Sequence, residues 1–401
     1  MEYRIAMNPP VPTLARRTPL VLAVLVAAAV LGFAAVSRLV TRLKANEKRI
    51  AYHAFEAGMA AYQGNDPGRA LDDFRAALSY DRDNPTYQLG LARALRDTGR
   101  LDESEDYLVH LWESSPQDST INLALARLAT RRHSVDDAIR YYHNAIYGVW
   151  PDDPDRNRRQ IRFELIDFLL QQKALAEAQA ELVALTQVLP PDSAVHLAVA
   201  KRFREAQDLP SALTQYEVTL KLDHNDADAL AGAAETAFQL GRYTTAEKYL
   251  QKAVELNPKN DDLRQQLESA RLILATDPFL RHLSDAERNR RLVSAFTHAG
   301  ERLKTCAQQL QIALPSPAPA DEPPALSPAP ASGGLPDLWI RWNAVRRDLR
   351  QLNTASSADL PDMLMDLVTQ IEQQAAQQCG QPTGTDLALL LISRDREAVD
   401  Q

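Results

Sequence analysis

Residues 85–118 read PTYQLGLARALRDTGRLDESEDYLVHLWESSPQD, and residues 227–260 read ADALAGAAETAFQLGRYTTAEKYLQKAVELNPKN. Superposed, the two stretches set Leu91-Ala92 on Ala233-Ala234, Leu95 on Ala237, Gly99-Arg100 on Gly241-Arg242 and Leu108 on Leu250. Spacings of three and four residues keep such positions on one face of a helix. The glycine between the two patterns marks a turn. Each stretch therefore reads as helix, turn, helix, and self-similarity at a fixed period of this length marks stacked units.

Working outward, the period holds over 51–84, 85–118 and 119–152. After the six residues Asp153–Arg158 it resumes over 159–192, 193–226 and 227–260. The second helices align Ala70/Phe74/Ala77, Ser104/Leu108/Leu111, Ala138/Tyr142/Ala145, Ala178/Leu182/Leu185, Ala212/Tyr216/Thr219 and Ala246/Leu250/Ala253. A small residue lets two helices approach, and the large one four residues later fills the groove between them. The first helices carry Ala57-Gly58, Leu91-Ala92, Leu125-Ala126, Leu165-Ile166, Val199-Ala200 and Ala233-Ala234, so Ile166 alone breaks the small second position and predicts looser packing in the fourth unit. Units close on Pro116, Pro190 and Pro258, where proline stops a helix.

These residues resemble the tetratricopeptide-repeat (TPR) family over 51–275. The resemblance implies an all-α fold: a right-handed helical solenoid of six helix-turn-helix units closed by a cap helix, 261–275, with Leu263, Leu267 and Ala270 inward and charged residues facing water. It also implies a concave groove, lined by the first helices, that holds a peptide or a helix of a protein partner. On that register the groove takes Tyr52, Phe55, Met59 and Tyr62 at an aromatic end. Leu89, Arg93, Arg96, Leu123, Arg127 and Arg131 form a basic middle, followed by Phe163, Lys201, Arg204 and Phe238. Arginine takes carboxylates in a bidentate way, so an acidic partner suits the middle. The alternative is a solvated face in which the arginines pair with acids such as Asp97 and Glu205. The Lys/Asn set by which some family members clamp a terminal carboxylate is missing: Ala124, Gln160 and Glu164 stand where parts of it would be. The interruption Asp153–Arg158 reads as a lengthened loop between helices.

Ahead of the repeats, residues 19–36 read PLVLAVLVAAAVLGFAAV, 18 residues without a charge. As a helix they reach about 27 Å, near the ~30 Å hydrocarbon core of a bilayer. The segment reads as a transmembrane anchor over 19–40, preceded by a tail, 1–18. A cleaved signal peptide ending at Ala35-Val36-Ser37 is the other reading, although the apolar run is long for one. Arginines and lysines flank both sides, so the positive-inside count does not favour an exported carboxy terminus. The short amino-terminal tail has the layout of a signal anchor and favours an extracytoplasmic, periplasmic repeat domain.

Charge separates the chain's ends. The first 50 residues carry +6, and the remaining 351 carry −14 of the total −8. A soluble part this acidic is a poor general ligand for nucleic acid, whose affinity comes largely from phosphate neutralisation.

After the array, 276–314 continues as helix, with Ser284 and Glu287 forming a capping box. A proline- and alanine-rich linker spans 315–335. Three further helices follow at 336–352, 360–379 and 384–399, with core stripes that include Trp339, Trp342, Leu364 and Ile371. The two cysteines, Cys306 and Cys379, end two helical regions flanking the linker. They read either as a disulfide in an oxidising compartment or as two part-buried thiols.

HExxH, CxxC, phosphate-cradling glycine loops and G-x-S-x-G elbows do not occur, and the eight histidines lack metal spacing. The expectation is a membrane-anchored scaffold or adaptor without cofactor or metal, not an enzyme. Its alternatives are a structural subunit of a secretion- or pilus-type membrane assembly and, far behind, an enzyme with a cryptic carboxy-terminal site.

Overall fold

A computed structural model of the chain describes residues 18–316, 334–348 and 360–399. Residues 1–17 of the expected tail and 317–333 of the expected linker lie outside the described residues. The described residues are helical apart from turns and one isolated parallel bridge between Asp118 and Val149. The chain divides into two compact halves, the first ending at Phe168 and the second beginning at Leu169.

The first half holds α1 (Thr18–Gln63), α2 (Pro67–Tyr80), α3 (Pro85–Asp97), α4 (Leu101–Ser114), α5 (Ser119–Arg131), α6 (Val135–Tyr147) and most of α7 (Pro154–Gln171). The second holds α8 (Leu175–Thr186), α9 (Ser193–Glu205), α10 (Leu209–Leu222), α11 (Ala227–Gln239), α12 (Tyr243–Leu256), α13 (Asp261–Thr276) and α14 (Asp285–Gln309). α15 (Leu335–Asp348), α16 (Leu360–Cys379) and α17 (Gly384–Val399) complete it. Within each half, successive helices pack on one another. The first helices of neighbouring repeats also meet directly, α1 with α3, α3 with α5, and α9 with α11.

One local device recurs at every turn between the two helices of a repeat. Residues 65, 99, 133, 173, 207 and 241 all adopt a left-handed conformation, with φ between 58° and 81°. The next residue's N–H donates back five positions: Asp66 to Ala61, Arg100 to Leu95, Ser134 to Ala129, Ala174 to Leu169, Asp208 to Phe203 and Arg242 to Ala237. This is a Schellman ending, which satisfies helix-end carbonyls that would otherwise lack donors. Only Gly99 and Gly241 bear the expected residue; the other four positions are Asn65, His133, Lys173 and Gln207.

The start of the next repeat is fixed by a side-chain cap. Asn84, Asp118, Asp192, Asp226 and Asn260 each accept from a backbone N–H in the first turn that follows. Between the two helices, the small-to-large signature packs as expected. Phe74 is 1% exposed, and a Cβ built on Gly58 would come within 2.7 Å of its ring. Across to the next repeat, Phe74 also lies against Gly90, and Tyr216 holds the corresponding place against Gly232.

α1 runs unbroken from the apolar segment into the first repeat, so the two share one 46-residue helix. The interruption does not lengthen a loop: Pro154 to Arg158 are helical and extend α7 at its start, where proline is tolerated. Ile166 sits fully buried despite its size.

α13 keeps the expected inward face and exposes Asp261, Asp262, Arg264 and Glu268 to water, but it does not end the packing. Its Leu267, Ala270 and Ile273 are buried, and α17 packs against it. Ile273 joins one hydrophobic core with Phe296, Leu303, Trp342, Leu364 and Leu389, and the partly buried Leu272 and Leu274 pack against that core. The repeats of the second half thus end on a bundle of α14–α17. Its centre stacks Trp342 on Phe296 at 5.2 Å and on Trp339 at 5.2 Å.

Candidate partner-binding groove

The inner row of first helices carries the expected groove residues, but most of their apolar members face the packing. In the first half, Tyr52 is 52% exposed. Phe55 stacks on Tyr87 at 4.8 Å and lies 5.6 Å from Phe74. Met59 packs on the same core, Leu89 packs on the next one, and Leu123 is buried. Phe163 is half-buried. A first helix touches its own second helix and the first helices beside it, so its apolar stripe is wide and little of it is left for a ligand. The aromatic end is reduced to Tyr52 and the hydroxyl of Tyr62.

The cations divide by partner. Arg96 is buried, with Nε 2.8 Å from Asp97 Oδ1 and Nη2 3.0 Å from Asp97 Oδ2. The Tyr62 hydroxyl donates to Asp97 Oδ2 at 2.6 Å and accepts from Arg96 at 3.1 Å. Burial works to raise the Asp97 carboxyl, but the bonds from Arg96 and Tyr62 outweigh it and hold it below its ordinary value. Arg127 forms a fork with Glu164 on α7, Nε to Oε1 at 2.7 Å and Nη2 to Oε2 at 2.8 Å. Tyr142 donates to Glu164 Oε1 at 3.0 Å. Burial again works to raise Glu164, and the Arg127 fork and charge win, so this carboxyl too is lowered. Arg93 and Arg131 make no ion pair among the described residues. Burial lowers the pKa of Arg93, and the neighbouring charges of Arg127 and Arg96 lower it further, which leaves a desolvated guanidinium among like charges.

In the second half, Lys201 Nζ lies 2.7 Å from Asp228 Oδ2, and Arg204 pairs with Glu235. Phe238 meets Tyr243 edge-on at 5.1 Å and packs on the core. These positions present compensated pairs, which contribute little to stability where water reaches them.

Comparison with known proteins fits this architecture. The family model described as Tetratricopeptide repeat matches residues 61–128 and again residues 197–261. Both stretches are tetratricopeptide repeats.

A TPR repeat-containing thioredoxin of Arabidopsis thaliana, TTL4, is 22% identical over 225 residues, which are 51% of this chain and 32% of that relative. The chain therefore spans about a third of that relative's length. Among solved structures, pilF of Pseudomonas aeruginosa is similar at a TM-score of 0.38 and 15% identity, over 55% of this chain and 97% of that one. PilW, titled a type IV pilus biogenesis factor, is similar at 0.38 and 18%, over 54% of this chain and 98% of that one.

Beyond the tetratricopeptide repeats, the structure brings together a polar cluster that sequence reading missed. His298 and Arg302 of α14 meet Asp386 of α17, with Nε2 2.6 Å from Oδ1 and Nη1 3.3 Å from Oδ2. Glu372 of α16 is fully buried, and neither of its carboxyl oxygens has a hydrogen-bond partner. Burial, reinforced by the Asp386 charge, pushes Glu372 up to about 8 against the opposing pull of Arg302. The cluster can hold a proton at neutral pH.

One turn along the same seam, Cys306 and Cys379 are joined as a disulfide, with Cα atoms 5.6 Å apart. No group of three or more His, Cys, Asp or Glu side chains is placed to hold a metal ion among the described residues.

Proposed function

We propose that the chain is a membrane-held scaffold whose repeats bind an acidic segment of a protein partner on the inner row of the first half, rather than an enzyme. The uneven pairing of the arginines carries the reading. Arg96 and Arg127 are tied to Asp97 and Glu164, whereas Arg93, partly desolvated between them, and the exposed Arg131 have no acid of their own. An uncompensated, poorly hydrated guanidinium is suited to a carboxylate supplied from outside. The Arg127–Glu164 and Arg96–Asp97 pairs then act as fixed walls. The apolar start of α1 serves as the anchor: it is the one helix among the described residues long and apolar enough to cross a membrane, and all of its described residues from Leu20 to Ile50 are exposed. The Cys306–Cys379 bond supports an extracytoplasmic position, since disulfides persist in oxidising compartments.

The test uses the full-length chain as bait for envelope proteins. Arg93→Glu with Arg131→Glu is expected to release the partner that the unaltered chain retains. Arg264→Glu, on α13, where Arg264 pairs only with Asp261, is expected to keep it. Undiminished capture by the Arg93/Arg131 variant would sink the groove reading. Protease accessibility in intact cells and thiol labelling before and after reduction report the side of the membrane.

A further inference from the structure

The long first helix carries a stripe that the repeats leave bare. Between the apolar segment and the first repeat, Val36, Leu39, Leu43, Asn46 and Ile50 follow one another at steps of three, four, three and four. That is the spacing of a coiled-coil seam, which brings alternate core positions to one side of a helix. Val36, Leu39, Leu43 and Ile50 are 60%, 58%, 55% and 37% exposed, an apolar row that no other described residues cover. Further along α1, the side packed on the array is marked by the buried Ala51 and Gly58, whereas His53 and Ala57, which continue the stripe, remain exposed. The array therefore covers a different flank. Upstream, the same steps pass through Gly32 and Ala29 inside the apolar segment, where small residues let two helices approach closely.

The charges beside the stripe indicate what covers it. Arg42 immediately precedes the Leu43 core position, and Glu47 immediately follows the Asn46 core position. In a parallel two-stranded coil, a residue at the first of these places meets the residue five positions on in the other strand. Within one chain, Arg42 and Glu47 are both exposed, and neither makes an ion pair among the described residues. A second copy in parallel register would match Arg42 with Glu47 of that copy, twice by symmetry. Asn46 would face its own counterpart; here its Oδ1 accepts from Arg49 at 2.9 Å on the helix surface. A lone polar residue in an otherwise apolar seam disfavours other registers, in which it would be buried against an apolar side chain.

We infer that the segment 36–50 is a parallel self-association seam that pairs two copies of the chain through α1. The inference rests on the anchor reading in one respect: chains inserted through the same apolar segment are necessarily parallel.

Both native cysteines are bonded to each other, so an introduced cysteine reports alone. Single cysteines are placed along 36–50 in the full-length chain, in bilayers, and oxidised. Cross-linked dimer is expected at Leu39, Leu43, Asn46 and Ile50, with loss of the dimer at Thr41, Lys44 and Lys48 on the opposite side. Glu47→Arg is expected to lose the cross-link at Leu43→Cys, and Arg42→Glu added to it is expected to restore it. Uniform cross-linking along the helix, none at all, or a maximum on the Thr41–Lys44–Lys48 side overturns the seam. Alkaline carbonate extraction of the same samples separates the two readings. A chain that resists extraction without a periodic pattern refutes the seam alone, and a chain that is extracted yet keeps the pattern refutes the anchor alone.

Discussion

Glu164 of α7 and Glu372 of α16 are both drawn out of water, and burial acts on both in the same direction, towards the protonated acid. Their outcomes are opposite. Glu164 receives the fork of Arg127 and the hydroxyl of Tyr142, and its carboxyl falls below the ordinary range. Glu372 feels the like charge of Asp386, and the Arg302 that would neutralise it is already engaged by Asp386. It is pushed up to about 8. Burial sets the tendency, and the side chain across the helix interface decides the result. The repeats of the first half thus hold a fixed ionic wall, whereas the carboxy-terminal bundle holds a neutral acid.

The largest expected effect comes from the bundle. Glu372 takes up its proton in the folded chain well above the ordinary value of 4.5. The associated stability is therefore full below pH ~4.5 and is lost as pH rises through ~8. At 1.36 kcal/mol per pKa unit, the whole loss is about 5 kcal/mol. Region-resolved hydrogen exchange should show protection of α16 and α17 falling over that window, with α5–α7 unchanged. Glu372→Met, of similar length and without charge, should abolish the slope and leave the bundle better protected at pH 8 than the unaltered chain. An identical pH slope in the variant would place the titrating group elsewhere.

A smaller effect of opposite sign is expected at Glu164. Its lowered pKa makes a contribution that is present above pH ~4.5 and disappears as pH falls through its folded value. Glu164→Gln leaves Arg127 half-buried without a counter-charge. Because both side chains keep about a third of their exposure, the loss at pH 7 is about 1–2 kcal/mol, discounted for screening. At pH 3 the variant and the unaltered chain should converge. Denaturant unfolding of the first half, followed by exchange on α5 and α7, reads both conditions.

The contrast was only partly legible in the sequence. The repeat period is plain because small and large residues recur at fixed offsets, and close packing tolerates little else at Ala70/Phe74 or Ala212/Tyr216. The Arg127–Glu164 fork joins residues 37 apart, yet repeat arithmetic reaches it: Asp167 is the equivalent of Arg127 in the next unit, and Glu164 lies three residues, one helical turn, before it. The same arithmetic shows why Arg93 is left without an acid, since Ala124 holds the place that Glu164 holds for Arg127. The polar cluster gives no such signal. His298, Glu372 and Asp386 lie on three helices of a non-repetitive bundle, and no spacing rule relates them. The packing of α17 on α13 was illegible for the same reason, because nothing periodic announces it.

The smallest expected effect is one that should be equal in both halves. His133 and Gln207 hold the left-handed position of the Schellman turn, at φ 58° and 63°, where Gly99 and Gly241 stand in other repeats. An L side chain costs about 1–2 kcal/mol in that conformation, and glycine gives back about 0.4–1 kcal/mol through the larger freedom of the unfolded chain. His133→Gly and Gln207→Gly should each therefore stabilise their own half by about 0.5–1 kcal/mol. Gln207 carries no charge, so its gain should be the same at pH 5 and pH 8. It is then the reference against which the Glu372 slope is measured within the same half. A gain at Gln207 that changed with pH would mean that the two regions of that half do not unfold independently, and the Glu372 slope would have to be assigned to the whole half rather than to the bundle.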